Sequence, residues 1–202
     1  MIHFTYGITK HISQLVGTWF NQSLYLLKTD NFQTTDQGSV YHLQAYKGAK
    51  ENNFLRLYNV LVGCVQADLN LDSDIWCIQA IPTFRFQTPG LTGTKEYHRD
   101  LDYGHPVQSL NVIVPVTDMT ERRTFEIEKV PYTEIYEPVL AKVGEVVVFN
   151  GSLHKHGSQR NTSEFSRVSF DFRFAMKRYL TGKPSVSRGT PLTLGAYYRE
   201  LE

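Results

Sequence analysis

The residues best suited to chemistry stand in two short clusters. The first, "EYHRDLDYGHP" (96–106), sets His98 and Asp100 one residue apart. On extended chain, residues i and i+2 project to one face. An imidazole and a carboxylate would then stand side by side, a natural first pair of ligands for a divalent metal. The second, "FNGSLHKHGSQRNTSEFSRVSFDFR" (149–173), offers His154 and His156, again on one face if extended, then Arg167 and, two residues on, Ser169. H-x-D alone is weak and fits an ordinary hydrogen-bonded turn. Two histidines and a carboxylate together make the facial set that holds non-haem Fe(II) and leaves three positions open. A chelating 2-oxo acid can take two of these and dioxygen (O2) the third. Its distal carboxylate then needs a fixed cation, and the planar fork of an arginine grips a carboxylate with two hydrogen bonds. Arg167 is suited to that task, with the Ser169 hydroxyl on the same face of its strand.

The elements that must position these residues follow from periodicity. Residues 9–27 carry Ile12, Leu15, Val16, Trp19, Phe20 and Leu24 at helical spacing, and 52–71 repeat the pattern with apolar residues at 54, 57, 58, 61, 62 and 65. Between them, 29–50 is polar with Gly38 and Gly48, and reads as a loop or short strands. After Leu71 the pattern changes to short alternating runs rich in aromatic and β-branched residues, at 74–90, 109–119, 124–130, 144–151 and 166–176. The expected plan is one domain over 1–202. Its parts are a mainly helical 1–73, an antiparallel β sandwich or barrel over 74–176, and a Gly-, Pro- and Ser-rich tail over 177–202 that is loop apart from a turn near Tyr197.

The pieces "PTFRFQTPG", "EYHRDLDYGHP", "LNVIVPVTDM" and "VVFNGSLHKHGSQRNTSEFSRVSFDFR" resemble the Fe(II)/2-oxoglutarate-dependent oxygenases, which are built on a double-stranded β-helix, a jelly-roll, cupin-like fold. They are more similar to the oxygenases of streptomycin biosynthesis and of sporadic carbohydrate gene clusters. The phytanoyl-CoA dioxygenase-like enzymes share only a sparse skeleton. The likeness covers residues 80–175. In this class the distal histidine is followed by a small-residue turn, an Asn and an Arg, as in "HGSQRNTSEFSR". The resemblance therefore implies His98, Asp100 and His156 as iron ligands, with His154 as a neighbour. It makes Arg167 the clamp on the 2-oxoglutarate C5 carboxylate, helped by Ser169 and Ser158. Asn111 and Gln87 would flank the iron, as cosubstrate contacts or as ordinary barrel hydrogen bonds. The implied reaction consumes 2-oxoglutarate and O2, releases succinate and CO2, and hydroxylates a small polar substrate such as a sugar or cyclitol derivative. A halogenase of this class would vacate the position that Asp100 fills, so oxygenation is expected.

Other polar residues carry two readings each. Asp102, Tyr103 and His105 either meet a polar substrate or form a rigid turn punctuated by Gly104 and Pro106. Arg85 either pairs with a buried acid or meets an anionic substrate group. Glu126 and Glu128 share a strand face, solvated or substrate-facing. Arg173 shares its face with Arg167, Ser169 and Asp171, and either pairs with Asp171 or reaches substrate.

Composition narrows the alternatives. Apolar residues make up 41% of the 202, with 12 Tyr and 12 Phe, enough for a sizeable core. Twenty-one basic against 20 acidic residues give a net charge of +1, which creates no field for a nucleic acid or an anionic membrane. Cys64 and Cys77 form no C-x-x-C pattern and read as core residues. With no basic start leading into an apolar run and no apolar run of about 18 residues, a cytoplasmic location is expected. Oligomeric state is open. Two rival readings stand. One is a cupin-like metalloenzyme using His98, Asp100, His154 and His156 without 2-oxoglutarate. The other is a non-catalytic jelly-roll binding module.

Overall fold

The computed structural model describes residues 1–28, 38–93, 96–184 and 189–201. The strands are β1 (Ile2–Thr5), β2 (Trp76–Gln79), β3 (Thr83–Gln87), β4 (Ser109–Pro115), β5 (Phe125–Glu128), β6 (Tyr136–Pro138), β7 (Glu145–Phe149), β8 (His156–Ser158), β9 (Arg167–Met176) and β10 (Tyr198–Glu200). The helices are α1 (Ile8–Thr18), α2 (Val40–Gly48) and α3 (Asn52–Asp68). Seven strands form one antiparallel sheet in the order β1-β7-β4-β9-β2-β10, with β3 also on β9. The ten-residue β9 organises it. One edge pairs with β4; the other pairs with β3 along its first half and β2 along its second. A second sheet has the order β6-β5-β8.

Alternation along β9 creates the two faces of the large sheet. Val168, Phe170, Phe172 and Phe174 are fully buried on the helix side. There Phe54 and Tyr58 of α3 meet Phe170 and Phe172 at ring-centroid distances of 5.9 and 5.2 Å. Each such side chain contributes about 1.5–3 kcal/mol by burial. Arg167, Ser169, Asp171 and Arg173 project to the opposite face, into a cleft toward the small sheet. Ile113, Val147 and Phe149 of the large sheet pack with Phe125 and Ile127 of the small one and close the space between the sheets.

The mainly β character matches expectation, and several local elements differ from it. α1 ends at Thr18, and a short 3-10 turn at Leu24–Leu26 carries the chain on. The expected strand 74–90 is two strands, interrupted before Pro82, whose missing N–H cannot join a ladder. Of the segment 29–50, residues 29–37 lie outside the described residues, and α2 replaces the expected loop or strands over 40–48. Its buried face is His42, Ala45 and Gly48, a set with no apolar periodicity. The tail contributes β10, with Tyr198 opposite Gln79, and Leu192, Tyr197 and Tyr198 pack on Cys77 and Ala175. Among the described residues no helix is long and apolar enough to cross a membrane.

Candidate metal centre

Backbone pairing brings the two sequence clusters together. His98 and His156 form a β-bridge in which each N–H donates to the other's carbonyl, at 3.0 and 2.9 Å. Gly157 permits the approach: a Cβ there would lie 2.8 Å from the Tyr97 ring and 3.0 Å from its Cα. Asp100 opens a 3-10 turn, and its N–H donates to the Gly151 carbonyl at 2.9 Å. His98 Nε2 and His156 Nε2 then lie 3.7 and 3.8 Å from Asp100 Oδ1. One candidate ligand atom from each of the three residues lies within 4.8 Å of the other two.

The outer atoms of all three side chains are held. His98 Nδ1 lies 2.9 Å from the Glu96 carbonyl and His156 Nδ1 lies 3.0 Å from the His154 carbonyl. A carbonyl only accepts, so Nδ1 carries the hydrogen in both rings, and the Nε2 lone pairs face Asp100. Asp100 Oδ2 accepts from Asn111 Nδ2 at 2.7 Å and Arg173 Nε at 2.8 Å, which leaves Oδ1 toward the histidines. Burial alone would raise the Asp100 pKa. Arg173, His156 and His105 outweigh it and hold the carboxyl well below the usual range. Burial pushes His156 down to about 4, against the upward pull of Asp100. At neutral pH, His156 is therefore neutral and Asp100 ionised, the forms that bind a metal.

Arg167, Ser158 and Ser169 line the cleft together with His98 and His156. Arg85, opposite Ser169 in the sheet, also lines it, while its Nε donates to Asp171 at 2.9 Å. Arg85 thus meets a buried acid and still reaches the cleft. Arg173 reaches the cleft wall too, but its hydrogen bonds run to Asp100, Asp171, Gln79 and Tyr197. Of the two readings, the pairing with Asp171 is present, joined by one with Asp100, while the side chain also lines the cleft. Asn111 is shared between Asp100 and the cleft, where its buried Oδ1 has no hydrogen-bond partner among the described residues. Gln87 is not among the cleft-lining residues: it is buried, and its Nε2 donates to the Gln159 carbonyl at 2.5 Å.

The second half of "EYHRDLDYGHP" divides. Asp102 closes the turn by accepting the Arg99 N–H at 3.0 Å. Tyr103 lies with its ring 4.9 Å from that of His98. His105 is buried, with Nδ1 3.0 Å from the Tyr198 hydroxyl, so it faces β10 and not an open mouth. Glu128, expected on a solvated or substrate-facing strand face, is fully buried and engages Arg99 and backbone N–H groups. Burial would raise its pKa, but the N–H groups of Glu134, Lys155 and Tyr132, with Arg99, hold it at about 2. His154 stands outside the cluster, with Nδ1 2.7 Å from the Glu128 carbonyl. No site role was read in the sequence for Arg99, Tyr197 or Tyr198. Only the position of Arg99 inside H-R-D, on the face opposite the ligand pair, could have marked it.

The mainly β fold, with a His-Asp-His cluster at its cleft, is similar in architecture to solved non-haem enzymes. The fold is similar to that of the non-haem alpha ketoglutarate-dependent epimerase SnoN from nogalamycin biosynthesis, at 12% identity and a TM-score of 0.52, covering 100% of this chain and 93% of SnoN. It is also similar to EctD from S. alaskensis with bound Fe, at 15% identity and a TM-score of 0.51, covering 88% of this chain and 73% of EctD. At such identities the likeness is one of fold. No family model matches the chain. The chain belongs to the family of the streptomycin biosynthesis protein StrG of Streptomyces griseus. The two are 35% identical over 166 residues, 81% of this chain and 77% of StrG.

Proposed function

We propose that residues 1–202 form a single Fe(II)- and 2-oxoglutarate-dependent oxygenase domain on a double-stranded β-helix. It hydroxylates a small polar metabolite such as a sugar or cyclitol derivative. The observation that carries this reading is the convergence of His98 Nε2, His156 Nε2 and Asp100 Oδ1, with every outer atom tied back, at a cleft that Arg167 lines. Two imidazoles and one carboxylate are a donor set that suits Fe(II). Bound iron would supply the coupling of O2 reduction to oxidative decarboxylation of 2-oxoglutarate. Around it, Asn111 and Arg173 fix the orientation of the Asp100 carboxylate. Arg167 grips the distal carboxylate of 2-oxoglutarate, with Ser169 and Ser158 donating beside it, and the walls of Phe125 and Phe149 keep water from these hydrogen bonds. Tyr103 and Arg85 border the substrate side. The place of StrG in streptomycin biosynthesis supports a sugar- or cyclitol-derived substrate.

The test is anaerobic addition of Fe(II) and 2-oxoglutarate. The wild-type chain should develop the visible charge-transfer band of the chelate, and Asp100→Ala and His156→Ala should not. Arg167→Ala should bind the metal but weaken 2-oxoglutarate by roughly 10- to 100-fold, the worth of a charge-assisted pair. His154→Ala should be milder than His156→Ala, because the His154 ring is hydrogen-bonded to Glu128. Metal binding without the band would favour the cupin-like reading. Succinate formation at background with every candidate sugar and cyclitol would favour a binding module.

A further inference from the structure

Arg99 stands between His98 and Asp100, and Lys155 between His154 and His156. Both meet Glu128, the last residue of β5. Glu128 Oε2 accepts from Arg99 Nη2 at 2.7 Å and from the Lys155 N–H at 3.1 Å, and Oε1 accepts the Glu134 N–H at 2.8 Å. The Glu128 N–H donates to the Lys155 carbonyl at 2.8 Å, and its own carbonyl lies 2.7 Å from His154 Nδ1. Arg99 also donates through Nε to the Leu153 carbonyl at 2.9 Å and lays its guanidinium 4.3 Å from the centre of the Tyr132 ring. One buried acid thus touches both segments that carry the His-Asp-His cluster. It also touches the loop in which Tyr132 and Glu134 hold left-handed φ values of 67° and 56°. Each left-handed residue costs about 1–2 kcal/mol and persists only where surrounding contacts impose it.

We infer that Glu128 and Arg99 are positioning residues that set the separation between the His98–Asp100 segment and His156. This rests on the reading of His98, Asp100 and His156 as metal ligands. The alternation of extended chain explains the division of labour. In H-R-D the two ligand candidates face His156 while the intervening arginine faces the other way, where Glu128 waits. The bond from Arg99 to Leu153 then ties the first segment to the second, and the Glu128 carboxylate clamps both. A carboxylate is needed because it offers two acceptor oxygens and no donor. A glutamine presents one oxygen and one NH2, so at least one of the four donors around Glu128 would meet another donor.

The test uses the full chain, freed of metal and titrated with Co(II) alone, read as Kd and as the visible Co(II) spectrum. Glu128→Gln should raise Kd roughly tenfold or more, the usual scale for groups that orient metal ligands, and shift the spectrum. Arg99→Lys should give a smaller rise, since lysine keeps the charge but cannot reach both acceptors in one plane. It also decides the matter if Glu128→Gln fails to fold. Val146→Ala, in the helix-side core, loses stability without touching either segment and should keep the wild-type Kd and spectrum. Wild-type affinity in both Glu128→Gln and Arg99→Lys overturns the inference. So does an affinity loss in Val146→Ala that matches theirs at equal loss of Tm. If His98→Ala, Asp100→Ala and His156→Ala all bind Co(II) like the wild type, the ligand reading itself falls and takes this inference with it.

Discussion

His105 should make the metal-free fold sensitive to acid by an amount that the structure allows to be worked out. The residue is 6% exposed, with its ring 5.5 Å from that of Tyr197 and Nδ1 against the Tyr198 hydroxyl. Burial, then the Arg173 charge, push its pKa from 6.5 down to about 4, only partly offset by Asp100 and Asp171. The folded state therefore keeps the ring neutral where the unfolded chain takes a proton. The stability difference is absent above the unfolded pKa, opens as pH falls below it, and is complete once pH passes the folded value. Between pH 8 and pH 5 the loss comes to about 2 kcal/mol for this one residue. His156, held at the same value, should add a similar loss when no metal is bound. His105→Asn keeps a hydrogen-bonding atom near the Nδ1 position and removes the titration. Urea unfolding with a chelator present, followed by the fluorescence of Trp19 and Trp76, gives stability at pH 8, 6 and 5. The wild type should lose about 2 kcal/mol more than His105→Asn over that interval. Parallel curves for the two proteins would refute the reasoning, whatever their absolute stabilities.

Two further changes test the packing around the centre. Arg173→Met should leave Asp100 and Asp171 buried without their shared cation and cost about 3–5 kcal/mol, or roughly 6–20 °C in Tm for a chain of this size. A melting curve within 2–3 °C of the wild type, on the order of 1 kcal/mol, would show that the network is not needed. Gly48→Ala would place a Cβ 2.3 Å from the Trp19 indole. It should cost about 1–3 kcal/mol by overpacking while leaving Co(II) affinity unchanged, since α2 lies on the far side of the sheet from the cleft.

Much of the site was legible because its grammar is local. The alternation in "RVSFDFRF" marks β9 by residue types alone, with one face for the helices and one for the cleft. The apolar stripe of α3 announces the helix that covers the aromatic face. α2 was hidden because its buried stripe consists of His42, Ala45 and Gly48, and a missing side chain makes room for Trp19. β1, β6, β8 and β10 are three or four residues long. Each owes its extended state to a partner strand distant in sequence and not to its own composition. Glu128 and Glu126 alternate alike in "TFEIE", so nothing in the pattern marks Glu128 as the buried one.

The sequence by itself determined the donor chemistry. H-x-D directs its paired side chains to one face because the alternation of Cβ positions is a matter of covalent geometry. It also determined that a cationic, hydroxyl-bearing strand follows. Tertiary structure decided which histidine stands beside His98, through the backbone bridge to His156. It also gave the second oxygen of Asp100 to Asn111 and Arg173, and His105 to the tail instead of an open mouth. Those outcomes depend on which strands pair and in what register. Register is set by the burial of whole faces against helices and a second sheet, a long-range balance that no short window of residues contains.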